Sequence, residues 1–202
     1  MGNRLSKIYT RTGDDGTSAL ADGSRIDKNS IIFEVMSDID ELNAHIGKAK
    51  SLFDDFVNCS KTSLNKTDFS ESLSIIQHLL LNIGGEIAML NNKDTYLAIK
   101  QSHIDWLEQK IDSMNCMLPA LKDFILPSGS IVISQLHIAR SVCRRCERHY
   151  WALQGQKNNL NPISAKFLNR LSDFLFVTAR FVAKVQQQEE VLWDKTILNR
   201  FD

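Results

Sequence analysis

Apolar residues recur at intervals of three and four in five separate segments of this 202-residue chain, and that rhythm constrains the architecture more than any other feature. The first segment runs from about Phe33 to Phe53 and sets Ile39, Leu42, Ile46 and Ala49 on one face. The second carries Leu73, Ile76, Leu80, Ile83, Ile87 and Leu90. The third, near Lys100 to Met117, carries Ile104, Leu107, Ile111 and Met114. The fourth, near Ser130 to Gln154, carries Leu136, Ala139, Cys143, Cys146, Tyr150 and Leu153. The fifth opens at Asn161-Pro162, an N-cap followed by proline at the first helical position. Its stripe is Phe167, Leu171, Phe174, Thr178, Phe181 and Val185. A helix with one apolar stripe buries it against another helix, and three-four spacing favours shallow crossing angles. The expectation is an all-α, up-and-down five-helix bundle.

One domain is expected over 1–202: an N-terminal segment 1–30 without helical period, a bundle 31–190 and a docked tail 191–202. The stretch Asp54 to Asp68 is rich in Asn, Lys, Ser and Thr and reads as an exposed loop. The tail carries Val191, Leu192, Trp193, Ile197, Leu198 and Phe201, and is expected to dock on the bundle or on a neighbouring subunit.

Lys plus Arg equals Asp plus Glu, so the formal net charge is zero. Nothing in that balance draws the chain to nucleic acid or to an acidic membrane. No stretch is apolar enough to span a bilayer, and the start lacks the apolar run of a signal peptide. Met1 to Ser6 fits the loose myristoylation pattern at Gly2. The motifs begin close to Met1, so the cytoplasm is the expected location. Cys143 and Cys146 form a C-x-x-C with no second pair or nearby histidine to complete a zinc site, so they read as two small apolar residues on one helical stripe.

Five constellations carry polar chemistry. Lys7-Ile8-Tyr9-Thr10-Arg11-Thr12-Gly13-Asp14-Asp15-Gly16-Thr17-Ser18 packs glycines, hydroxyls and cations into one short segment. Glycine lets backbone approach a phosphate, hydroxyls and amides donate to it, and Lys7, Arg11 and Lys28 balance its charge. Taken alone, the segment reads as an ordinary polar turn before it reads as a nucleotide cradle; it matches neither a Walker loop nor G-x-G-x-x-G. Arg140 to Arg148 places four arginines on two turns, which repel unless anions meet them; Arg140 and Glu147 lie at the border of the apolar stripe. A solvated charged face with i,i+4 pairs is the plainer alternative. Asp123 to Ser130 joins Phe124 to a Pro-Ser-Gly turn and a serine N-cap, and Phe124 by itself reads as a core aromatic. Ser37 to Asn43 puts three acids in the first turns of a helix, where they complement its dipole. Within it, Asp40 points away from the apolar stripe. In Phe167 to Asp173, Asn169 lies nearly opposite the core.

Taken together, KIYTRTGDDGTSAL, SDIDELNAHIG, FILPSGS, ARSVCRRCERHYWAL and LNRLSDFLFVTARF resemble the PduO-type ATP:cob(I)alamin adenosyltransferase family, in the family's order and over nearly the whole chain. The resemblance implies a five-helix bundle of the cobalamin adenosyltransferase type with an irregular nucleotide-binding N-terminus. It also implies a homotrimer with active sites between subunits. It implies transfer of the 5′-deoxyadenosyl group of ATP to the cobalt of cob(I)alamin, giving adenosylcobalamin and triphosphate, with Mg²⁺ accompanying ATP. Thr10, Arg11, Thr12, Gly13, Asp14, Ser18 and Lys28 would cradle the phosphates. Arg144, Arg145, Glu147 and Arg148 would bind triphosphate and nucleoside, completed by Asn169. Asp40 would pair with Arg140 across the interface, and Phe124 would face the corrinoid and help displace its lower ligand. A reductase and an adenosylcobalamin-dependent acceptor enzyme are implied partners. The chain departs from the family pattern at Ser128, where a glycine is usual, and at Asp15, an extra acid expected to weaken ATP binding. The alternatives are a corrinoid- or nucleotide-binding bundle that carries cofactor without catalysis, and a structural bundle that scaffolds a partner.

Overall fold

The computed structural model describes residues 9–60, 66–90, 97–157 and 159–201. Five helices dominate it: α1 (Ile31–Ser60), α2 (Lys66–Ala88), α3 (Gln101–Asn115), α4 (Ile131–Gln154) and α5 (Pro162–Val185). Before them lies a short antiparallel hairpin, β1 (Thr17–Ala19) with β2 (Arg25–Asp27), in which Ser18 faces Ile26. The readings placed on Gly2 and Lys7 fall outside the described residues.

The stripes are the core. All six of the second stripe's residues are buried, as are Leu136, Ala139, Cys143, Cys146, Tyr150 and Leu153 of the fourth. Asn161 caps α5 by accepting from the Ile163 amide at 3.0 Å, with Pro162 in the first turn. Ser130 does the same for α4.

Cross-helix contacts fix the directions. Asp38 meets Arg145 and His149, and His45 meets Gln135, so α1 and α4 are antiparallel. Asn43 with Gln77, and Asp54 with Ser70, make α1 and α2 antiparallel. Tyr150 with Asn161, and Cys143 with Leu168, do the same for α4 and α5. Glu108 with Arg170, and Met114 with Thr178, lay α3 parallel to α5. The helices therefore alternate up and down along the chain. In space, though, their packing order is α2-α1-α4-α5-α3, and α3 lies against α5, two steps on. The N-termini of α1, α3 and α5 and the C-termini of α2 and α4 share one end of the bundle. The N-terminal segment is tied there, by the Ala21 amide donating to Ala88 O at 3.1 Å.

The predicted loop 54–68 is a correction. Residues 54–60 continue α1, and α2 has already begun at Lys66. Phe53 and Val57 extend the stripe through the polar residues, and both are buried. Asp54 serves the helix pair by bonding Lys50 and Ser70.

Candidate active site

The N-terminal segment is shaped by two cations that reach back into it. Lys28 Nζ donates to Gly13 O at 2.6 Å, and Arg25 donates to Thr12 O and to the Thr17 hydroxyl. Asp15 accepts from the Thr17 amide at 3.0 Å and its hydroxyl at 2.8 Å, a local turn that holds its carboxyl below the ordinary aspartate range. Arg25 lies 3.4 Å from the same carboxylate. Asp15 is therefore occupied in folding the loop. Gly13 is required by space: a Cβ there would stand 2.9 Å from Thr17 O and 3.1 Å from Lys28 Nζ. Arg11 and Gly16 sit in the left-handed region, at φ 60° and 85°. The result is an exposed loop in which Thr10, Thr12, Asp14 and Lys28 line a folded edge, with Ser18 half-buried behind them.

On α4 the arginines separate into two kinds. Arg145 is engaged within the protomer: its Nε donates to Asp38 at 2.8 Å, and its Nη2 reaches Glu41, which strengthens its hold on its proton. Asp38, only 5% exposed, also meets His149 Nδ1 at 2.7 Å. Glu147 accepts from Asn169 Nδ2 at 3.0 Å, joining α4 to α5 at the surface. Arg140, Arg144 and Arg148 make no salt bridge among the described residues, although the Asp173 carboxylate is near enough to Arg140 to favour its charged form. Arg148 donates only to the Arg144 carbonyl, at 3.1 Å. Arg140 lies over the Phe176 ring at 5.2 Å, and its pKa is lowered, first by burial and then by the charge of Arg144. Three guanidinium groups that make no salt bridge among the described residues thus recur at i, i+4 and i+8 on α4 of a chain of zero net charge, an arrangement with the charge to meet an anion.

Asp40 stands at the height of Arg140 on the neighbouring antiparallel helix. It lies about 200° round α1 from Asp38, the residue that faces α4. It is exposed, and among the described residues it makes no ion pair. One protomer does not bring Asp40 and Arg140 together. Nor does it bring Phe124 to the arginines. Phe124 precedes α4 at the opposite end of the bundle, and Arg144 lies thirteen residues into that helix, about 20 Å along its axis. Phe124 is 73% exposed and meets the edge of Trp193 at 6.2 Å between centroids, so it is no core aromatic. The turn after it tolerates Ser128 because only Gly129 has positive φ, at 121°.

Cys143 and Cys146 are wholly buried, and burial pushes both thiols well above their ordinary pKa. Among the described residues no cluster of His, Cys, Asp and Glu is gathered that could hold a metal ion, and no helix is long and apolar enough to cross a membrane. Sequence reasoning missed Arg25, which folds the loop, and Glu86, a buried carboxylate discussed below. It also missed the role of Asp38, whose signal was an acid within one residue of a stripe position.

Known proteins share this sequence and fold. The cobalamin adenosyltransferase family model matches residues 8–182. A cobalamin adenosyltransferase of Cupriavidus metallidurans is 42% identical over 96% of this chain and 98% of its own length. The human corrinoid adenosyltransferase is 39% identical over 95% of this chain and 75% of its own. Among solved structures, a PduO-type ATP:corrinoid adenosyltransferase from Lactobacillus reuteri superimposes with a TM-score of 0.83 at 32% identity, covering 94% of this chain and 100% of that one. That structure is a variant with one phenylalanine replaced by alanine, complexed with cobalamin and ATP. A variant of the same protein with one arginine replaced by lysine, complexed with ATP, gives 0.80 at 33% identity over 93% of this chain and 100% of its own. Sequence and fold converge: the chain belongs to the cobalamin adenosyltransferase family.

Proposed function

We propose that the chain transfers the 5′-deoxyadenosyl group of ATP to the cobalt of cob(I)alamin, releasing triphosphate. The observation that carries this reading is the set of arginines on α4 that make no salt bridge among the described residues, on a helix whose C-terminal end shares one end of the bundle with the folded N-terminal loop. Triphosphate is the leaving group, and it is the species such a surface stabilises as charge develops on it.

The reaction asks little covalent chemistry of the protein. Cob(I)alamin is the nucleophile and attacks the 5′ carbon; the C–O bond to triphosphate breaks, and its electron pair leaves with the phosphate oxygen. The protein's part is placement and screening. Thr10, Arg11, Thr12, Gly13, Asp14, Ser18 and Lys28 hold the phosphates through hydroxyls, amides and cations. Arg144 and Arg148 meet the triphosphate from the helix side, with Glu147 and Asn169 against the nucleoside. Arg145 acts from behind, anchored on Asp38 and Glu41. Mg²⁺ fits this donor set as a companion of the nucleotide. Among the described residues no carboxylate cage is gathered for it, and exposed hydroxyls and Asp14 are the hard oxygen donors that a phosphate-bound Mg²⁺ accepts. Its chemistry there is charge neutralisation on the triphosphate.

The assembly is a homotrimer with sites between subunits. Two observations support it: among the described residues of one protomer neither Asp40 nor Arg140 makes a salt bridge, and α4 exposes Ile131 (72%), Ile138 (47%) and Trp151 (50%). Phe124 faces the corrinoid and excludes its lower ligand, which eases reduction of Co(II) to Co(I) by a partner reductase; an adenosylcobalamin-dependent enzyme takes the product. All four cysteines are free, which suits the reducing cytoplasm.

The test is anaerobic turnover with ATP, Mg²⁺ and chemically reduced cobalamin, followed in the visible spectrum. Growth of the adenosylcobalamin spectrum, lost in Arg144→Ala, is expected. Binding of both substrates with an unchanged spectrum would favour a carrier instead.

A further inference from the structure

The segment that carries Phe124 belongs to no helix, and the C-terminal tail is what holds it. The Leu126 amide donates to Val191 O at 2.8 Å, and the Trp193 amide donates to Phe124 O at 2.7 Å. Between them Ile125 and Leu192 face each other as an antiparallel bridge. Side chains repeat the clamp: Trp193 stands edge-on to Phe124 at 6.2 Å, and Lys195 pairs with Asp123 at 2.9 Å.

The tail itself is anchored by one buried group. Arg180 in α5 is 5% exposed. Its Nε donates to Glu190 Oε1 at 2.6 Å and its Nη2 to Glu190 Oε2 at 3.2 Å. The same Nη2 donates to Pro119 O at 2.9 Å. One guanidinium thus ties together α5, the linker that leads into Phe124 and the residue that leads into the tail. Just before it the chain turns through Gln187 at φ 54°, and the Gln188 side chain accepts from the Ser130 amide at 3.0 Å, at the N-cap of α4. Bidentate pairing of this kind fixes geometry as well as energy. A buried pair adds little net stability over a well-packed apolar one, and registry is its best-attested use.

We propose that the Arg180–Glu190 pair, acting through the tail strand and Trp193, is the positioning device that sets Phe124 against the corrinoid. The inference rests on the reading of Phe124 as the residue that excludes the lower ligand. Arg180, Glu190 and Trp193 are positioning residues: they act through Phe124. The pair lies at the opposite end of the bundle from the end where the N-terminal loop is tied, so loosening it leaves ATP binding intact while Phe124 loses its fixed place.

The test compares Glu190→Gln, Trp193→Ala and Phe124→Ala with the parent. Cob(II)alamin is added with ATP, and the four-coordinate fraction is read by electron paramagnetic resonance; ATP affinity is measured separately by calorimetry. Glu190→Gln and Trp193→Ala are expected to lower the four-coordinate fraction and to lower kcat by up to about a hundredfold, as a small misplacement of a positioned group does, with ATP affinity unchanged. Native four-coordinate fractions in both, with the fraction lost in Phe124→Ala, would overturn the positioning role. Parallel loss of ATP affinity would overturn it too, as general damage. A native fraction in Phe124→Ala would instead remove the reading on which the inference rests. Should Glu190→Gln fail to fold, Trp193→Ala decides, because Trp193 is 46% exposed and lies outside the core.

Discussion

Replacing Glu86 separates a buried acid that organises the bundle end from one that merely fills space. Glu86 is 5% exposed in α2. Its Oε1 accepts from the Ala98 amide at 2.6 Å, the Ile99 amide at 2.9 Å and Asn161 Nδ2 at 2.8 Å, while Oε2 accepts from the Ser164 hydroxyl. It thereby joins α2 to the entry of α3 and the cap of α5. Glu86→Ala strands the Ile99 and Ala98 amides; Asn161 Nδ2 keeps its bond to Ile99 O at 3.0 Å. Each stranded amide costs about 1–3 kcal/mol, and the lost bond to Ser164 adds about 1 kcal/mol. The expected total is about 4 kcal/mol, a fall in Tm of roughly 8–16 °C for a chain of this size. Glu86→Gln behaves differently. Its amide oxygen takes the place of Oε1 and serves the same three donors, while its NH2 faces the Ser164 hydroxyl, which turns to accept. Only the charge assistance is lost, about 1 kcal/mol. Thermal unfolding by circular dichroism at fixed protein concentration checks both variants. Equal losses for Gln and Ala, or a loss below about 1 kcal/mol for Ala, would refute the reasoning.

Four further expectations follow from the same geometry. Asp40→Ala and Arg140→Ala should each lower kcat/KM strongly and the double variant little further; fully additive losses in the cycle would exclude a pair between subunits. Gly13→Ala forces the loop away from Thr17 O and should weaken ATP binding, read by calorimetry, while Tm stays within a few degrees because the loop lies outside the core. At pH 8 in native protein, a thiol reagent should modify Cys59 and Cys116, both exposed, and spare Cys143 and Cys146 until the chain is unfolded. Because burial raises the last two thiols, the unfolded chain releases their protons first as pH climbs past the ordinary thiol value of 9.0; stability should hold below that point and fall above it, measured by urea unfolding.

The helical stripes were legible because burial imposes a period that survives in the sequence, and residues such as Leu80 and Tyr150 landed in the core where that period puts them. The end of α1 was hidden because Asp54, Asp55 and Asn58 read as loop residues, whereas Asp54 is spent on Ser70 of α2 and Phe53 and Val57 carry the buried stripe on between them. Packing order was not legible either: periodicity says that α3 needs a partner, but only tertiary contacts pick α5. At the site, residue types pointed to anion chemistry in the N-terminal loop and on α4. Which arginine is available was invisible, since it depends on Asp38 and Glu41 arriving from a helix about a hundred residues away. Glu86 gave no signal because an acid inside an apolar helix is read as solvent-facing until its four donors, drawn from the entry of α3 and the start of α5, are seen together.

The most direct measurement of the central claim follows the atoms. ATP labelled with carbon-13 at the 5′ position is incubated anaerobically with the protein, Mg²⁺ and cob(I)alamin, and both products are analysed by nuclear magnetic resonance. Adenosyl transfer predicts the label in a cobalt-bound carbon and one intact triphosphate for each adenosylcobalamin formed. Label that remains in ATP, or that appears in ADP or AMP with free phosphate or pyrophosphate, would contradict it.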